Sequence, residues 1–214
     1  IGTGMIATEV ISMLRTEGKG IEITSLFSHS DKDKAQSLAK ANRIAHVYTD
    51  YTQLLKEDDA DFVYIALVNS AHYDYVRQAL EADRNVIVEK PFTTSLSQAE
   101  ELASLARSRN LYLFEAVSLL HTPNFKLVKD SLTRIAPIHL VQCNFSQYSS
   151  RYERYLQGDI APAFNPKLGG GAMNDLNVYN INTVIGLFGE PLTTTYYANR
   201  GHNGIDTSGT MVLS

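Results

Sequence analysis

The sequence predicts an α/β protein in two parts: a doubly wound parallel sheet over residues 1–118 and a second α/β domain over residues 119–214. Three observations support this. In the first part, short apolar runs alternate with amphipathic helical stretches, the order that builds a parallel sheet covered by helices on both faces. A glycine-rich turn, Gly2-Thr3-Gly4, stands where the first strand would meet the first helix. From Leu119 the pattern changes to one helix, longer strand-like runs and a second helix.

Taken in order, Ile1 is the stub of a first strand, with helix over Met5–Thr16, strand over Ile21–Ser28 and helix over Lys32–Asn42. A turn of helix at Tyr51–Leu55 leads to a strand at Phe62–Leu67, a helix at Ala71–Ala82 and a strand at Asn85–Val88. Ser95 reads as an N-cap, and Gln98, three residues on, completes a capping box for a helix over Leu96–Arg109. Tyr112–Glu115 is the last strand of this part. In the second part, Ile138–Tyr148 alternates in part, as a half-buried strand does. Gly169–Gly171 lead into a helix over Ala172–Phe188, whose Met173, Leu176, Val184 and Phe188 share an apolar face and which Gly189 stops. Leu192–Ala198 and Met211–Ser214 read as further strands. The fingerprint turn opens with almost no strand before it and the chain stops within a sheet, so further sequence is expected at both ends.

Composition narrows the function classes. A hydrophobic fraction of 44% and a charged fraction of 20% are those of a globular protein, and no run nears the roughly 18 apolar residues of a membrane-spanning helix. A formal net charge of -4 supplies no basic surplus for a phosphate backbone, so a small molecule is expected as partner rather than nucleic acid or membrane. The single cysteine, Cys143, has no intramolecular partner and reads as a small core residue of a strand, which fits a reducing cytoplasm.

Gly2-Thr3-Gly4-Met5-Ile6-Ala7 matches the Gly-x-Gly-x-x-Gly/Ala dinucleotide fingerprint. The first glycine allows a tight turn, the second lets a pyrophosphate approach the backbone, and the small third residue keeps helix and sheet close. Free amides and the positive dipole end at the helix start favour phosphate there. Alone, such a turn is equally a plain strand-to-helix connection; the βα series behind it supports the dinucleotide reading. At the end of the second strand, an acidic residue would bond the ribose hydroxyls of NAD. Here Phe27-Ser28-His29-Ser30 stands instead, with Lys32 and Lys34 following, so NADP is expected, with Ser28 and His29 as donors to its 2′-phosphate. In the alternative, the serines cap the next helix and Asp31 takes the ribose, so NAD stays open.

Glu89-Lys90-Pro91 follows directly on a strand, at the carboxyl end of the sheet where ligands of open α/β folds bind. A cis bond at Pro91 would aim Lys90 as an ordinary loop would not. Farther on, Asp175 and Tyr179 lie four residues apart and so share one helical face. Each has a plain structural reading: Lys90 as a solvated surface residue, Asp175 as a helix-start carboxylate, Tyr179 as a packed ring.

Together, in this order, these elements resemble the Gfo/Idh/MocA oxidoreductases, over essentially the whole chain, including Asp61-Phe62-Val63-Tyr64-Ile65-Ala66 and the Asn69 and His72 that follow. The resemblance implies a Rossmann domain, then an α/β domain with an open, mostly antiparallel sheet that mediates dimerisation. It implies cofactor contacts from Gly2, Thr3, Gly4, Met5, Ile6, Ala66, Asn69, His72, Glu89 and Lys90, beside Ser28 and His29. Many members carry histidine where Tyr179 stands, so the chain is more similar to the branch with tyrosine, that of glucose-fructose oxidoreductase and dimeric dihydrodiol dehydrogenase.

The expected chemistry is hydride transfer between a nicotinamide and a carbinol or carbonyl carbon of a sugar, polyol or diol. Tyr179 gives or takes the proton, the Lys90 ammonium favours its phenolate, and Asp175 orients the substrate or the lysine. Lys90 as the direct acid is the alternative within that mechanism. A sensor or scaffold that binds NAD(P) without turnover is the rival function, although binding alone needs no proton donor. In the second part, Ile138, Leu140, Gln142 and Asn144 would face one side of a strand and His139, Val141, Cys143 and Phe145 the other. Apolar groups on both faces predict a homodimer through the open sheet, with the active site in the cleft between domains.

Overall fold

The computed structural model describes all 214 residues, Ile1–Ser214. The chain forms two compact units, Ile1–Glu115 and Ala116–Ser214. In the first unit, strands β1 (Ser25–Phe27), β2 (His46–Tyr48), β3 (Phe62–Ile65), β4 (Asn85–Val88) and β5 (Leu113–Glu115) alternate with helices. The helices are α1 (Met5–Glu17), α2 (Lys32–Asn42), α3 (Tyr51–Glu57), α4 (His72–Glu81) and α5 (Leu96–Ser108).

Every strand pair of this unit is parallel: β1 with β2, β3 with β4, and β4 with β5. Ile1 joins the two sets. Its nitrogen donates to Tyr64 O at 2.7 Å, its carbonyl accepts from Ala66 N at 2.9 Å, and Gly2 N donates to Phe27 O at 3.0 Å. With Ile1 counted as the first strand, the order is 3-2-1-4-5-6, that of a doubly wound dinucleotide-binding sheet.

The period of two along β3 and β4 puts Val63, Ile65, Val86 and Val88 in the core. Helices α4 and α5 cover them with Val76, Ala79, Leu80, Leu102 and Ala106. A second cluster forms from Ile11, Leu26, Ala35, Ala39 and Ile44. Phe62, Tyr112 and Phe114 stack on one another and are exposed.

Several elements depart from expectation. The Ile21–Ser28 strand shrinks to Ser25–Phe27, because its ladder partner β2 is three residues long and Thr24 and Ser25 turn their hydroxyls to Asp58. That partner, His46–Tyr48, is too short to give a periodic signal and went unanticipated. Ser95 is the N-cap residue of α5, but the capping box does not form: its hydroxyl engages that of Ser97 at 2.8 Å.

The second unit contains α6 (Pro123–Ile135), α7 (Tyr152–Leu156) and α8 (Val178–Phe188), then β6 (Thr194–Arg200) and β7 (Asp206–Leu213), which pair antiparallel. Thr122 caps α6, accepting from Phe125 N at 3.2 Å, and Pro123 follows at the first helical position, where its missing N–H costs nothing. Phe125 packs against Gly186 of α8, leaving no room there for a side chain. Tyr155, Phe164 and Ile205 form a small separate core. Gly189, at φ +86°, ends α8 as expected. The strand expected at Met211–Ser214 begins earlier, at Asp206; the polar stretch Thr207-Ser208-Gly209 hides it from any alternation count, but the residues pair with β6.

The largest correction concerns Ile138–Tyr148. It has no ladder partner and forms no strand, and Cys143 within it is exposed instead of a core residue. A β pattern states which side chains would face a core. A strand also needs a neighbour to take its backbone amides and carbonyls. No helix of the protein is long and apolar enough to cross a membrane.

Candidate active site

In the first unit, the sequence-predicted residues gather at the carboxyl ends of the strands around Ile1. Gly2, at φ +108°, lies so close to Ala66 O that any Cβ would collide with it, so this glycine is required by the fold itself. Gly4 differs: its φ of -70° suits any residue, and a Cβ there would meet nothing within 4 Å. Space is therefore open in front of the first turn of α1, which no side chain caps, while Met5 and Ile6 are exposed and Ala7 is buried. Uncapped amides and an open glycine at a helix N-terminus suit a pyrophosphate. This is the cradle that a dinucleotide needs, and Thr3 lies within it.

At the end of β1, Ser28 is buried, its amide donating to Tyr48 O and its Oγ accepting from Asp31 N at 3.3 Å. Ser28 thus shapes the turn, and His29 is exposed at the same strand end. The carboxylate of Asp31 caps α2, accepting from Lys34 N at 2.9 Å, and is committed to that helix.

The loop after β4 is held at successive residues. Tyr64 OH donates to Glu89 Oε1 in a very short hydrogen bond, and Glu89 N continues the ladder to Ile65 O. Burial and the Glu89 acceptor, together with its charge, push the Tyr64 phenol well above its ordinary pKa. Lys90 lies next, half-buried, and the Lys90–Pro91 peptide bond is cis. Pro91 O faces His72 Nδ1 at 2.9 Å, and Phe92 N donates to Glu115 Oε1 at 2.8 Å.

His72 is 0% exposed, with Nε2 3.2 Å from Leu67 O and Nδ1 on Pro91 O, so both nitrogens face backbone carbonyls. It ties the turn after β3 to the Lys90 loop. Asn69 begins a 3-10 turn just before it. Glu115, at the end of β5, gave no signal in sequence, since a lone carboxylate after a strand resembles a surface residue.

In the second unit, the predicted helix over 172–188 opens with a π-helical turn, Met173–Asn177, which carries Asp175. Such wider turns recur at functional sites. Asp206 of β7 anchors this start, accepting from Met173 N and from Tyr196 OH, each at 2.7 Å, and Asp175 N donates to Gly171 O at 2.9 Å. Tyr179, one turn on, stacks against Phe145 with ring centroids 5.2 Å apart. An open groove lined by Leu140, Leu176, Ile181 and Met211 runs through the unit, but neither Asp175 nor Tyr179 lines it.

Residues 1–117 match the model of an oxidoreductase family with an NAD-binding Rossmann fold, Gfo/Idh/MocA. The chain belongs to that family. Among its similar Gfo/Idh/MocA proteins are the uncharacterized oxidoreductase YgjR of Escherichia coli, 33% identical, and the scyllo-inositol 2-dehydrogenase (NADP(+)) IolU of Bacillus subtilis, 31% identical. Both matches cover 100% of this chain, but the chain spans only 64% of the first protein's length and 65% of the second's. A crystal structure of KijD10, a 3-ketoreductase from Actinomadura kijaniata, in complex with NADP and TDP-benzene, superposes with a TM-score of 0.84 at 29% identity. That superposition covers 100% of this chain and 64% of KijD10. The NAD-binding Rossmann assignment coincides with the unit in which the glycine cradle and the Lys90 loop are found.

Proposed function

We propose that the protein is an NAD(P)-dependent oxidoreductase acting on a CH–OH or carbonyl carbon of a sugar, polyol or diol. The observation that carries this reading is Lys90: a lysine at the carboxyl end of the parallel sheet, within a loop clamped on both sides, in a chain that also has a dinucleotide cradle. A cofactor-binding module alone needs no proton donor, whereas Lys90, Asp175 and Tyr179 together supply one. The nicotinamide supplies or accepts the hydride when bound. Gly2, Thr3, Gly4, Met5 and Ile6 would hold its pyrophosphate, and Ala66, Asn69 and Glu89 would contact the rest of the cofactor. Tyr179 is assigned to give or take the proton at the substrate oxygen, Lys90 to be the supporting cation, and Asp175 to orient the substrate hydroxyls. The rival assignment of Lys90 as the direct acid uses the same groups.

NADP is the proposed cofactor over NAD, since His29 stands exposed where an acid would repel a 2′-phosphate and Asp31 is committed to capping. The NADP named for IolU and KijD10 supports the same choice. We also propose a cytoplasmic homo-oligomer; exposed Tyr197 and Val212 on one face of the β6–β7 sheet support self-association of the second unit, and a monomer by light scattering at micromolar concentration overturns it.

The decisive experiment incubates the full-length protein with NADP or NAD and a panel of sugars, polyols and diols, following absorbance of the reduced ring. Turnover with at least one polyol or sugar is expected, with NADP preferred and His29→Asp reversing the preference. Tyr179→Phe should then lower kcat by about 10²–10⁴-fold with cofactor affinity unchanged. Unchanged turnover removes Tyr179 from the mechanism, and cofactor binding without turnover of any class supports the sensor instead.

A further inference from the structure

Lysine has four rotatable side-chain bonds, so its ammonium reaches a reacting atom reproducibly only if the backbone beneath it is fixed. Within the Lys90 loop, each fixing contact comes from a different element: Tyr64 of β3 on Glu89, His72 of α4 on Pro91 O, and Glu115 of β5 on Phe92 N. The third is chemically unusual. Glu115 is half-buried at the sheet end, and burial raises its pKa. The Phe92 amide counters that, while the nearby negative charge of Glu89 adds to it. A carboxyl held beside another carboxyl in a partly dry site is unfavourable unless its hydrogen bond repays the cost. Its one backbone contact lies two residues from Lys90.

We infer that Glu115 is a positioning residue for Lys90, acting through the Phe92 amide. The inference rests on the reading of Lys90 as a cation of the proton-transfer site. Without the Glu115 acceptor, the Phe92 amide is unpaired and the cis-Pro91 turn loses its anchor on the β5 side, so the base of the lysine side chain shifts. Misplacement of about 1 Å is enough to cost on the order of 10²-fold in rate. A neutral side chain that still offers an oxygen to the amide keeps the anchor, and one of similar size without an oxygen loses it.

The test compares Glu115→Gln, Glu115→Leu and Lys90→Met in the full-length protein, with NADP and scyllo-inositol as the probe pair. Two readouts are taken: steady-state kcat and KM, and the Lys90 resonance in 13C-methylated protein. Glu115→Leu should lower kcat about 10–100-fold with little change in KM or NADP affinity, and should broaden or split the Lys90 resonance. Glu115→Gln should restore kcat to within about threefold and the single resonance with it. If Glu115→Leu keeps parental kcat and a single Lys90 resonance while Lys90→Met is inactive, the positioning role is overturned and the Lys90 reading stands. If Glu115→Gln is as impaired as Glu115→Leu, charge and not the amide contact is what matters, and the inference fails. Full turnover by Lys90→Met overturns the underlying reading, while the resonance still reports whether Glu115 places the side chain. Should Glu115→Leu not fold, the Glu115→Gln resonance and kcat carry the comparison.

Discussion

The two units differ in where their strands find partners. In Ile1–Glu115, each strand lies beside another of the same unit, and helices α4 and α5 close over β3 and β4 with residues that are entirely buried. In Ala116–Ser214, only β6 and β7 pair, and the alternating run 138–148 is exposed and has no ladder partner. Alternation is a statement about faces, whereas a strand is a statement about neighbours. The crossover of a βα unit sets one strand parallel beside another, whereas the run 138–148 has no such partner in its unit.

Core substitutions should separate the units most strongly. Leu102, 0% exposed on α5, packs in the cluster with Leu80 and Val88, and Leu102→Ala should cost about 2–5 kcal/mol in urea unfolding. Leu140, 76% exposed, should lose no more than about 0.5 kcal/mol on the same truncation. A core-sized loss at Leu140 would break the comparison, because it would mean that the segment is covered in solution.

The fingerprint glycines sharpen the comparison within the first unit. Gly2→Ala forces a Cβ against Ala66 O at a backbone angle that L-residues avoid, a strain of about 1–3 kcal/mol before the collision is counted. It should lower the melting temperature clearly. Gly4→Ala meets open space, so its melting temperature should stay near the parent's, while NADP affinity, measured by fluorescence titration, should fall at least about tenfold, or roughly 1.4 kcal/mol. Equal stability losses at both positions would show that Gly4, too, serves the fold.

A smaller effect is expected from Asp58, which ties β1 to the turn before β3. Burial raises its pKa, but hydrogen bonds from Ser25, Ala60 N and Thr24 and the field of His46 outweigh it and leave the carboxyl below its ordinary value. A depressed carboxylate stabilises the fold above the unfolded value of about 3.9, and that stability disappears as pH falls through the lower folded value. The melting-temperature gap between the parent and Asp58→Asn should therefore be widest near pH 7 and narrow below about pH 4. A gap constant across pH would remove the charge from the explanation.

Helix α2 and strand β4 were legible to the residue, because caps, apolar spacing and turn residues are local signals. The fingerprint turn was legible for the same reason. The strand β2 was lost because three residues carry no period, and the Ala172–Phe188 helix was found without its π turn, which depends on Asp206 and Gly171 far from any periodic cue. Lys90, Asp175 and Tyr179 could be chosen from spacing and resemblance. The roles of His72 and Glu115 could not, since both act on backbone groups of a loop that comes close only after folding.

The smallest predicted effect reverses the pattern and so tests it most directly, because here the second unit holds the better-formed local signal. Ser95 in the first unit has the sequence of a capping box, Ser followed three residues later by Gln98, yet its hydroxyl bonds Ser97 and caps nothing. Thr122 in the second unit accepts from Phe125 N and is followed by Pro123, a true cap. A working N-cap is worth about 1 kcal/mol, set by one satisfied amide of the four that a helix start leaves open. Thr122→Ala should therefore cost about 1 kcal/mol in thermal or urea unfolding, and Ser95→Ala a few tenths at most. If Ser95→Ala costs as much as Thr122→Ala, the Ser95 hydroxyl turns to the Gln98 amide in solution, and the first unit's helix starts are as readable as its strands.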